Sequence, residues 1–117
     1  MAGKKIERVQ TGVRIEKRIL KVLKAIATHH EWFDGWGFPQ GLKGQDIPLE
    51  GRLLAIAEFM VEMTTDNPLR AAWPADKLVD ELKQRQGNQF DPELTELALN
   101  LIQAQKLVLS QERQLEY

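Results

Sequence analysis

The 117-residue chain contains no cysteine, which excludes disulfide bonds and thiolate metal sites and is typical of a reducing compartment. It has no apolar run near the ~20 residues that a membrane-spanning helix requires, and no apolar signal core beside its basic N-terminus. Histidine occurs only twice. The net charge of −1 gives no overall reason to expect a nucleic-acid partner. These absences predict a cytoplasmic protein whose partners include neither membrane nor nucleic acid.

The positive charge is concentrated at the N-terminal end of the chain. Up to residue 24 there are eight basic residues against two acidic ones, so the remainder is net acidic. A basic arm can bind an acidic partner, and it can equally be the solvated face of a helix. The hydrophobic fraction of 43% and the charged fraction of 28% are those of an ordinary globular domain.

Hydrophobic periodicity predicts an all-α fold of about four helices with no strand. The predicted helices cover these ranges: 13–28, 49–63, about 74–86 and about 91–108. The third helix begins at Pro74 and stops before Gly87. The fourth begins with Asp91 as an N-cap, followed by Pro92, which needs no N–H at the first helical position.

The polar ends of the chain predict three regions. These are a flexible basic segment over 1–12, a helical domain over 13–109 and a polar tail over 110–117. On the first helix, four apolar side chains share one face: Ile15, Ile19, Val22 and Ile26.

A long loop, residues 31–48, separates the first two predicted helices. It contains four glycines and two prolines, which are too many for regular structure. It also contains four aromatic residues, and these argue against disorder because so much aromatic surface favours burial. A loop of this length in a compact domain is usually functional or disordered, so the sequence indicates a functional loop.

The two histidines, His29 and His30, stand side by side directly before this loop. Imidazole binds divalent transition metals, and carboxylates suit iron, manganese and magnesium. Because adjacent residues on a helix point about 100° apart, both rings reach a metal cluster only if it lies at the edge of the helix end or if they serve different metals. The alternative is that they cap the C-terminus of the helix, where positive charge is favourable.

The histidine pair opens a long motif, and two shorter motifs follow it in the chain. They read His29-His30-Glu31-x-x-Asp34-Gly35-x-Gly37-Phe38-Pro39-x-Gly41-Leu42-x-Gly44, Thr64-Thr65-x-x-Pro68-x-Arg70 and Gly87-x-x-Phe90-Asp91-Pro92. This pattern resembles the HD-GYP domain over residues 13–102. The resemblance implies a helical bundle of bacterial signalling proteins that binds two or three metal ions, often iron or manganese, and hydrolyses cyclic di-GMP.

Within this resemblance the chain matches only the C-terminal half of the domain. The family's metal cluster needs a His-Asp pair on an earlier helix, and no histidine precedes His29. The ligand aspartate of the Val-Ala-Asp motif falls at Glu58, whose carboxylate lies one methylene further out, which is a large displacement for a fixed site. The tyrosine of Gly-Tyr-Pro is Phe38, which keeps the stacking face. The phosphate-facing arginine falls at Asn67, whereas the following basic position is kept as Arg70.

The resemblance therefore implies candidate site residues but no catalytic residue. The candidate metal ligands, interpreted as vestigial, are His29, His30 and Glu58. The candidate ligand-binding residues are Asp34, Gly37, Phe38, Pro39 and Arg70. Three ligands on one side of a site do not hold the two metal ions that stabilise the attacking and leaving oxygens of an in-line displacement. We therefore expect no cofactor in the isolated chain, and divalent iron or manganese only where another chain completes the site.

Three of these side chains also have a structural interpretation. Arg52 and Arg70 are each suited to an ion pair or to binding backbone carbonyls rather than phosphate. Asp34 is suited to binding loop amides and ordering the Gly-Phe-Pro turn.

These features predict a degenerate, non-catalytic HD-GYP-like module that acts by protein–protein interaction or homodimerisation. The predicted dimer interface uses the apolar face of the first helix and parts of the second. In the family, the Gly-Tyr-Pro loop is proposed to contact diguanylate cyclase domains, which makes loop 31–48 the candidate contact surface. Two alternatives stay open: a cyclic di-GMP receptor, and a phosphodiesterase whose site a partner chain completes.

Overall fold

The computed structural model describes the backbone of residues 2–116 and the side chains of residues 15–105. Over that range the chain forms four α-helices, a short 3₁₀ turn and no strand. The elements are α1 (Ala2–Thr28), the 3₁₀ turn (Gly44–Asp46), α2 (Leu49–Met63), α3 (Ala75–Arg85) and α4 (Pro92–Glu116). The all-α fold predicted from the sequence is confirmed.

The interior helix boundaries follow from local sequence signals. Asp91 caps α4, since its Oδ1 accepts the N–H groups of Glu93 at 2.8 Å and Leu94 at 3.3 Å. Gly87, just beyond the end of α3, has a φ of 84°, which most other residues adopt only with strain. Pro74 takes the N-cap position of α3 rather than the first helical position. The second helix has the predicted bounds.

The two outer helices are longer than predicted. α1 begins at Ala2 rather than at residue 13, and α4 continues to Glu116 rather than ending near residue 108. Hydrophobic periodicity marks only the packed part of a helix, whereas polar residues of good helix propensity extend a helix without packing. Neither extension contains a proline, and each glycine in a helix costs only about 1 kcal/mol. The division into flexible ends and a central domain stays a prediction.

The hydrophobic core lies where α2, α3 and α4 meet. Its buried residues are Ile56, Phe59, Leu78, Leu82, Phe90 and Ala98. The ring of Phe59 lies 5.2 Å from that of Phe90 and meets Trp73 edge-on at 6.0 Å, both within the range of favourable aromatic contacts. These contacts hold the start of α4 against α2 at Phe59, which also lines the cavity described below.

The first helix packs against α2 near its own C-terminal end. Thr28 and Gly51 are both buried there, and a Cβ atom at Gly51 would overlap the Thr28 side chain, so only glycine permits this approach. Further along α1, six large hydrophobic side chains are between 50% and 58% exposed: Ile15, Ile19, Leu20, Val22, Leu23 and Ile26. The predicted apolar face of the first helix is therefore largely uncovered in the part of the chain that the structure describes.

Candidate functional site

His29 connects the end of α1 to the middle of α2. Its Nδ1 atom lies 2.7 Å from the carbonyl oxygen of Ile26 in the last turn of α1, which is the capping arrangement offered above as the alternative to metal binding. Its Nε2 atom lies 3.0 Å from Oε2 of Glu58. The packing of α1 on α2 thus brings together two of the three candidate metal ligands.

Both ring nitrogens of His29 face oxygen acceptors. A neutral imidazole has a single N–H, and the Ile26 carbonyl requires it at Nδ1, so Nε2 then presents a lone pair to the Glu58 carboxylate. Nε2 and the Glu58 carboxylate are therefore two donor atoms of the kinds that bind a divalent cation. The side chain of Glu58 is 52% exposed and that of His29 only 14%, so solvent reaches this point from the Glu58 side.

His30, the third candidate metal ligand, stacks on the long loop. Its ring centroid lies 5.0 Å from that of Phe38 with an interplanar angle of 18°, and 3.9 Å from that of His29. The N–H of Phe38 also donates to the His30 carbonyl at 3.3 Å. His30 lines the same cavity as His29. Among the described residues, its ring contacts aromatic rings rather than a carboxylate.

The carboxylate that orders the long loop belongs to Glu31. This residue is only 3% exposed. Its Oε1 accepts the N–H of Gly41 at 2.8 Å and of Leu42 at 3.3 Å, and its Oε2 accepts the N–H of Gln40 at 3.3 Å. A buried carboxylate requires such donors, because leaving it without partners is costly. Glu31 therefore holds the turn that follows the Gly-Phe-Pro segment.

The sequence interpretation had Asp34 bind loop amides and order the Gly-Phe-Pro turn, and the structure gives Asp34 one such amide, just before that segment. The Oδ1 atom of Asp34 accepts the N–H of Trp36, two residues away, at 3.0 Å, so it orders one local turn. The amides of the turn after Pro39 bind Glu31 instead. Glu31 is ten residues distant from Gly41 in the chain, and no local motif connects the two. Only its place in the long motif could have suggested a role for it.

Backbone contacts fasten the loop to the connection between α3 and α4. The N–H of Phe33 donates to the Gln89 carbonyl at 3.1 Å, and the N–H of Asp34 donates to the Asn88 carbonyl at 2.9 Å. Gly37 passes so close to the backbone of Trp32 that an added Cβ atom would overlap it. The loop is therefore ordered by backbone contacts and a buried carboxylate.

The ordered loop presents aromatic rings to solvent. Trp36 is 85% exposed, Phe38 is 61% exposed and Trp32 is 37% exposed. The Phe38–Pro39 peptide bond is cis, and Pro39 is itself exposed. Exposed large aromatic side chains on an ordered backbone are typical of an interaction surface.

The two arginines take structural partners. Arg70 donates to the carbonyl oxygens of Glu62 at 3.1 Å and Met63 at 3.3 Å, at the end of α2. Arg52 donates from Nη1 to the buried Asp91 carboxylate at 2.7 Å, and its Nε donates to a loop carbonyl at 2.9 Å. Both contacts agree with the structural interpretation of these side chains.

The site that these elements form is a small cavity of about 120 Å³. It is lined by His29, His30, Glu31, Ala55, Glu58, Phe59, Glu62 and Gln89. In the range with described side chains, no three histidine or carboxylate groups are placed to hold one metal ion. The cavity is also smaller than the roughly 300–1,000 Å³ of typical ligand pockets. By itself the arrangement offers two donor atoms, on His29 and Glu58, at one edge of a narrow cavity.

The four helices and the ordered loop form an all-α domain with a histidine and a carboxylate at one cavity. The sequence profile of the HD domain family matches residues 7–94, three quarters of the chain. The chain belongs to the HD domain family.

Several relatives are named cyclic dinucleotide phosphodiesterases. The chain is 38% identical over 96 residues to 3'3'-cGAMP-specific phosphodiesterase 2 of Vibrio cholerae, which covers 78% of this chain. It is 36% identical over 95 residues to the cyclic di-GMP phosphodiesterase of Thermotoga maritima, which covers 77% of this chain. A crystal structure of a cyclic GMP-AMP specific phosphodiesterase of V. cholerae superimposes with a TM-score of 0.60 at 26% identity, over 71% of this chain and 19% of that chain.

The match is confined to a short part of these proteins. The chain spans 18% of the V. cholerae relative's sequence and 26% of the T. maritima relative's. No helix within the described residues carries a stretch apolar enough to cross a bilayer. The cytoplasmic location expected from the sequence stays a prediction.

Proposed function

We propose that this chain is an HD-GYP-type module of bacterial cyclic dinucleotide signalling that does not hydrolyse the dinucleotide with its own residues. The observation that carries the proposal is the contact between His29 and Glu58, which brings one nitrogen and one carboxylate oxygen to 3.0 Å of each other. The relatives named as phosphodiesterases support the signalling context.

The available donors do not suit a hydrolytic metal centre. Such a centre fixes its metal firmly, activates a water and commonly uses two ions about 3.5–4 Å apart. Of the remaining acidic and imidazole groups at the cavity, Glu31 is committed to the loop amides and His30 stacks on Phe38. Glu62 lines the same cavity from the last turn of α2, so it is the one further carboxylate near the pair. This chain's residues therefore supply part of one ligand shell, and we derive no catalytic step through a metal.

A turnover assay tests the absence of catalysis. The purified chain is incubated anaerobically with Fe²⁺, and separately with Mn²⁺, in the presence of cyclic di-GMP or 3'3'-cGAMP, and the products are separated by chromatography. We expect no more product than in a control reaction that contains the metal ion and the dinucleotide but no protein. Hydrolysis that follows protein concentration and is lost in both His29→Ala and Glu58→Gln would overturn the proposal. Glu96→Gln, which changes an exposed carboxylate outside the cavity, is the matched control.

The second part of the proposal concerns the loop, residues 31–48. Because its backbone is tied to Glu31 and to the α3–α4 connection, its exposed aromatic side chains lose little conformational entropy on binding. Trp36, at 85% exposure, is the natural central contact, since tryptophan is enriched among residues that dominate interface energies. We propose that this surface contacts a bacterial signalling protein such as a diguanylate cyclase domain.

A binding titration with a purified diguanylate cyclase domain tests this contact. We expect Trp36→Ser to weaken binding at least about tenfold, as for a dominant interface residue. Leu69→Ser is the matched control, because Leu69 is 96% exposed and belongs to the turn between α2 and α3 rather than to the loop, so its loss should leave affinity unchanged. Equal affinities for the wild type and both variants would contradict the proposed contact surface.

One observation favours a second candidate function. The His29–Glu58 pair is already assembled and open to solvent from the Glu58 side, so a partner chain with further ligands could complete a metal site there. Calorimetry with cyclic di-GMP at about 100 μM, with and without such a partner and with and without Mn²⁺, separates this candidate from a silent module. Heat only in the presence of both the partner and the metal supports the completed site, and no heat in either case contradicts it.

A further inference from the structure

The side chain of Arg85, the last residue of α3, contacts three neighbours at once. Its Cζ atom lies 4.8 Å from the centroid of the Phe59 ring in the hydrophobic core. Its Nε and Nη2 atoms lie 3.3 Å and 3.2 Å from Oε2 of Glu81, one turn earlier on α3. Its Nη1 atom donates to Oε1 of Gln89 at 2.8 Å. A planar guanidinium makes these contacts together, because its N–H groups point in fixed directions while its face lies on the ring.

These contacts determine which way the Gln89 carboxamide faces. A guanidinium has donors only, so the atom of Gln89 that meets Arg85 is the oxygen. The N–H of Gln89 also donates to the Arg85 carbonyl at 3.0 Å. Gln89 is therefore bonded to Arg85 at two points, one in its backbone and one in its side chain. Its own carbonyl oxygen accepts the N–H of Phe33, in the long loop, at 3.1 Å.

The next amide of the loop is held by a residue that is also bonded to Arg85. The N–H of Asp34 donates to the Asn88 carbonyl at 2.9 Å. The N–H of Asn88 in turn donates to the Arg85 carbonyl at 3.2 Å. Both residues that accept these loop amides are thus tied to Arg85, which lies outside the sequence motifs of the chain.

We propose that Arg85 is a positioning residue for the loop, residues 31–48: its guanidinium fixes Gln89, and Gln89 holds the loop backbone at Phe33. The inference rests on the proposed contact between this loop and a signalling partner, because an aromatic surface loses less conformational entropy on binding when its backbone is already fixed. Trp36, the proposed central contact, is three residues beyond Phe33. Arg85 thereby raises the affinity for the partner through the loop and not by a contact of its own.

Amide hydrogen exchange followed by NMR on the full chain measures this effect residue by residue. Arg85→Met keeps an apolar side chain over the Phe59 ring and removes every donor. We expect the Phe33 amide to exchange at least about tenfold faster than in wild type, since a hydrogen bond from a charged donor is lost behind it. The amide of Ile56, in the core of α2, should change much less. Lys83→Met removes an exposed cation of the same helix and is the matched control, with unchanged exchange at Phe33.

Equal acceleration at Phe33 and Ile56 would show a general loss of stability and overturn the positioning role. An unchanged Phe33 amide in Arg85→Met would overturn it as well.

A double-substitution cycle shows whether Arg85 acts through Gln89. Gln89→Leu alone should speed exchange at Phe33 about as much as Arg85→Met does. The double variant should be no faster than either single variant, because both changes break the same hydrogen bond. Additive effects on the free energy of opening would show that Arg85 acts by another route and would contradict the inference.

The binding titration with a diguanylate cyclase domain gives the second readout. We expect Arg85→Met to weaken binding several-fold and Lys83→Met to leave it unchanged. An unchanged affinity of Arg85→Met for a domain that Trp36→Ser binds more weakly overturns the inference and leaves the contact surface standing. Equal affinities of wild type and Trp36→Ser overturn the contact surface, whereas the exchange measurement still decides whether Arg85 positions the loop.

Discussion

Replacing Glu31 with glutamine removes the charge that holds the long loop while nearly preserving side-chain volume. The glutamine oxygen can still accept the N–H groups of Gly41 and Leu42, but its amide nitrogen then faces the N–H of Gln40, which loses its acceptor. A hydrogen bond to a charged group contributes about 1.5–3 kcal/mol, and the strongest of these is retained in part. We therefore expect the free energy of unfolding to fall by about 2–3 kcal/mol.

Urea unfolding followed by circular dichroism measures this change, with wild type and variants at one protein concentration because association shifts apparent stability. The m-value should stay the same, so the midpoint alone should move. Tryptophan fluorescence gives a local readout, since Trp32 and Trp36 lie in the loop. Glu96→Gln removes an exposed carboxylate on α4 and should change stability by less than about 0.5 kcal/mol. A Glu31→Gln chain as stable as Glu96→Gln would refute the role assigned to the buried carboxylate.

Three further substitutions test the packing around the site by the same unfolding measurement. Gly37→Ala places a Cβ atom against the backbone of Trp32 and should cost about 3 kcal/mol; a neutral effect would mean that the loop does not make this close approach. Leu82→Ala truncates a fully buried side chain and should cost about 2–5 kcal/mol, so a loss below 1 kcal/mol contradicts the core as described. Arg52→Met leaves the buried Asp91 carboxylate without its partner and should cost about 3–5 kcal/mol, whereas an unchanged midpoint would show that the pair is dispensable.

Local signals in the sequence were enough to predict the helices. Asp91 followed by Pro92 marks the start of α4 because one residue supplies a cap and the next needs no N–H. Gly87 marks the end of α3 because its backbone adopts a positive φ. Both signals act between residues a few positions apart, so they are readable without any tertiary information. The extended ends of α1 and α4 were missed because polar helix formers leave no periodic pattern.

The site depended on contacts between distant segments. Arg52 and Asp91 are 39 residues apart, and nothing local to either residue indicates the pair. The role of Glu31 was missed for the same reason, since the donors to its carboxylate are the backbone amides of a turn nine to eleven residues later. The His29–Glu58 pair could be anticipated only because a family resemblance placed both residues in known motifs. A carboxylate that binds backbone amides has no particular side chain as its partner, so the sequence does not mark the residues that it contacts.

Metal stoichiometry tests the central claim most directly, because hydrolysis of a cyclic dinucleotide by this chain would require firmly held metal ions. The purified chain is equilibrated anaerobically with Mn²⁺ or Fe²⁺, desalted and assayed for metal by mass spectrometry alongside His29→Ala. We expect fewer than about one ion per chain, and the ion content of wild type and His29→Ala should differ by less than about one ion. Two ions retained per wild-type chain, and lost in His29→Ala, would contradict the conclusion that its own side chains form only part of one ligand shell.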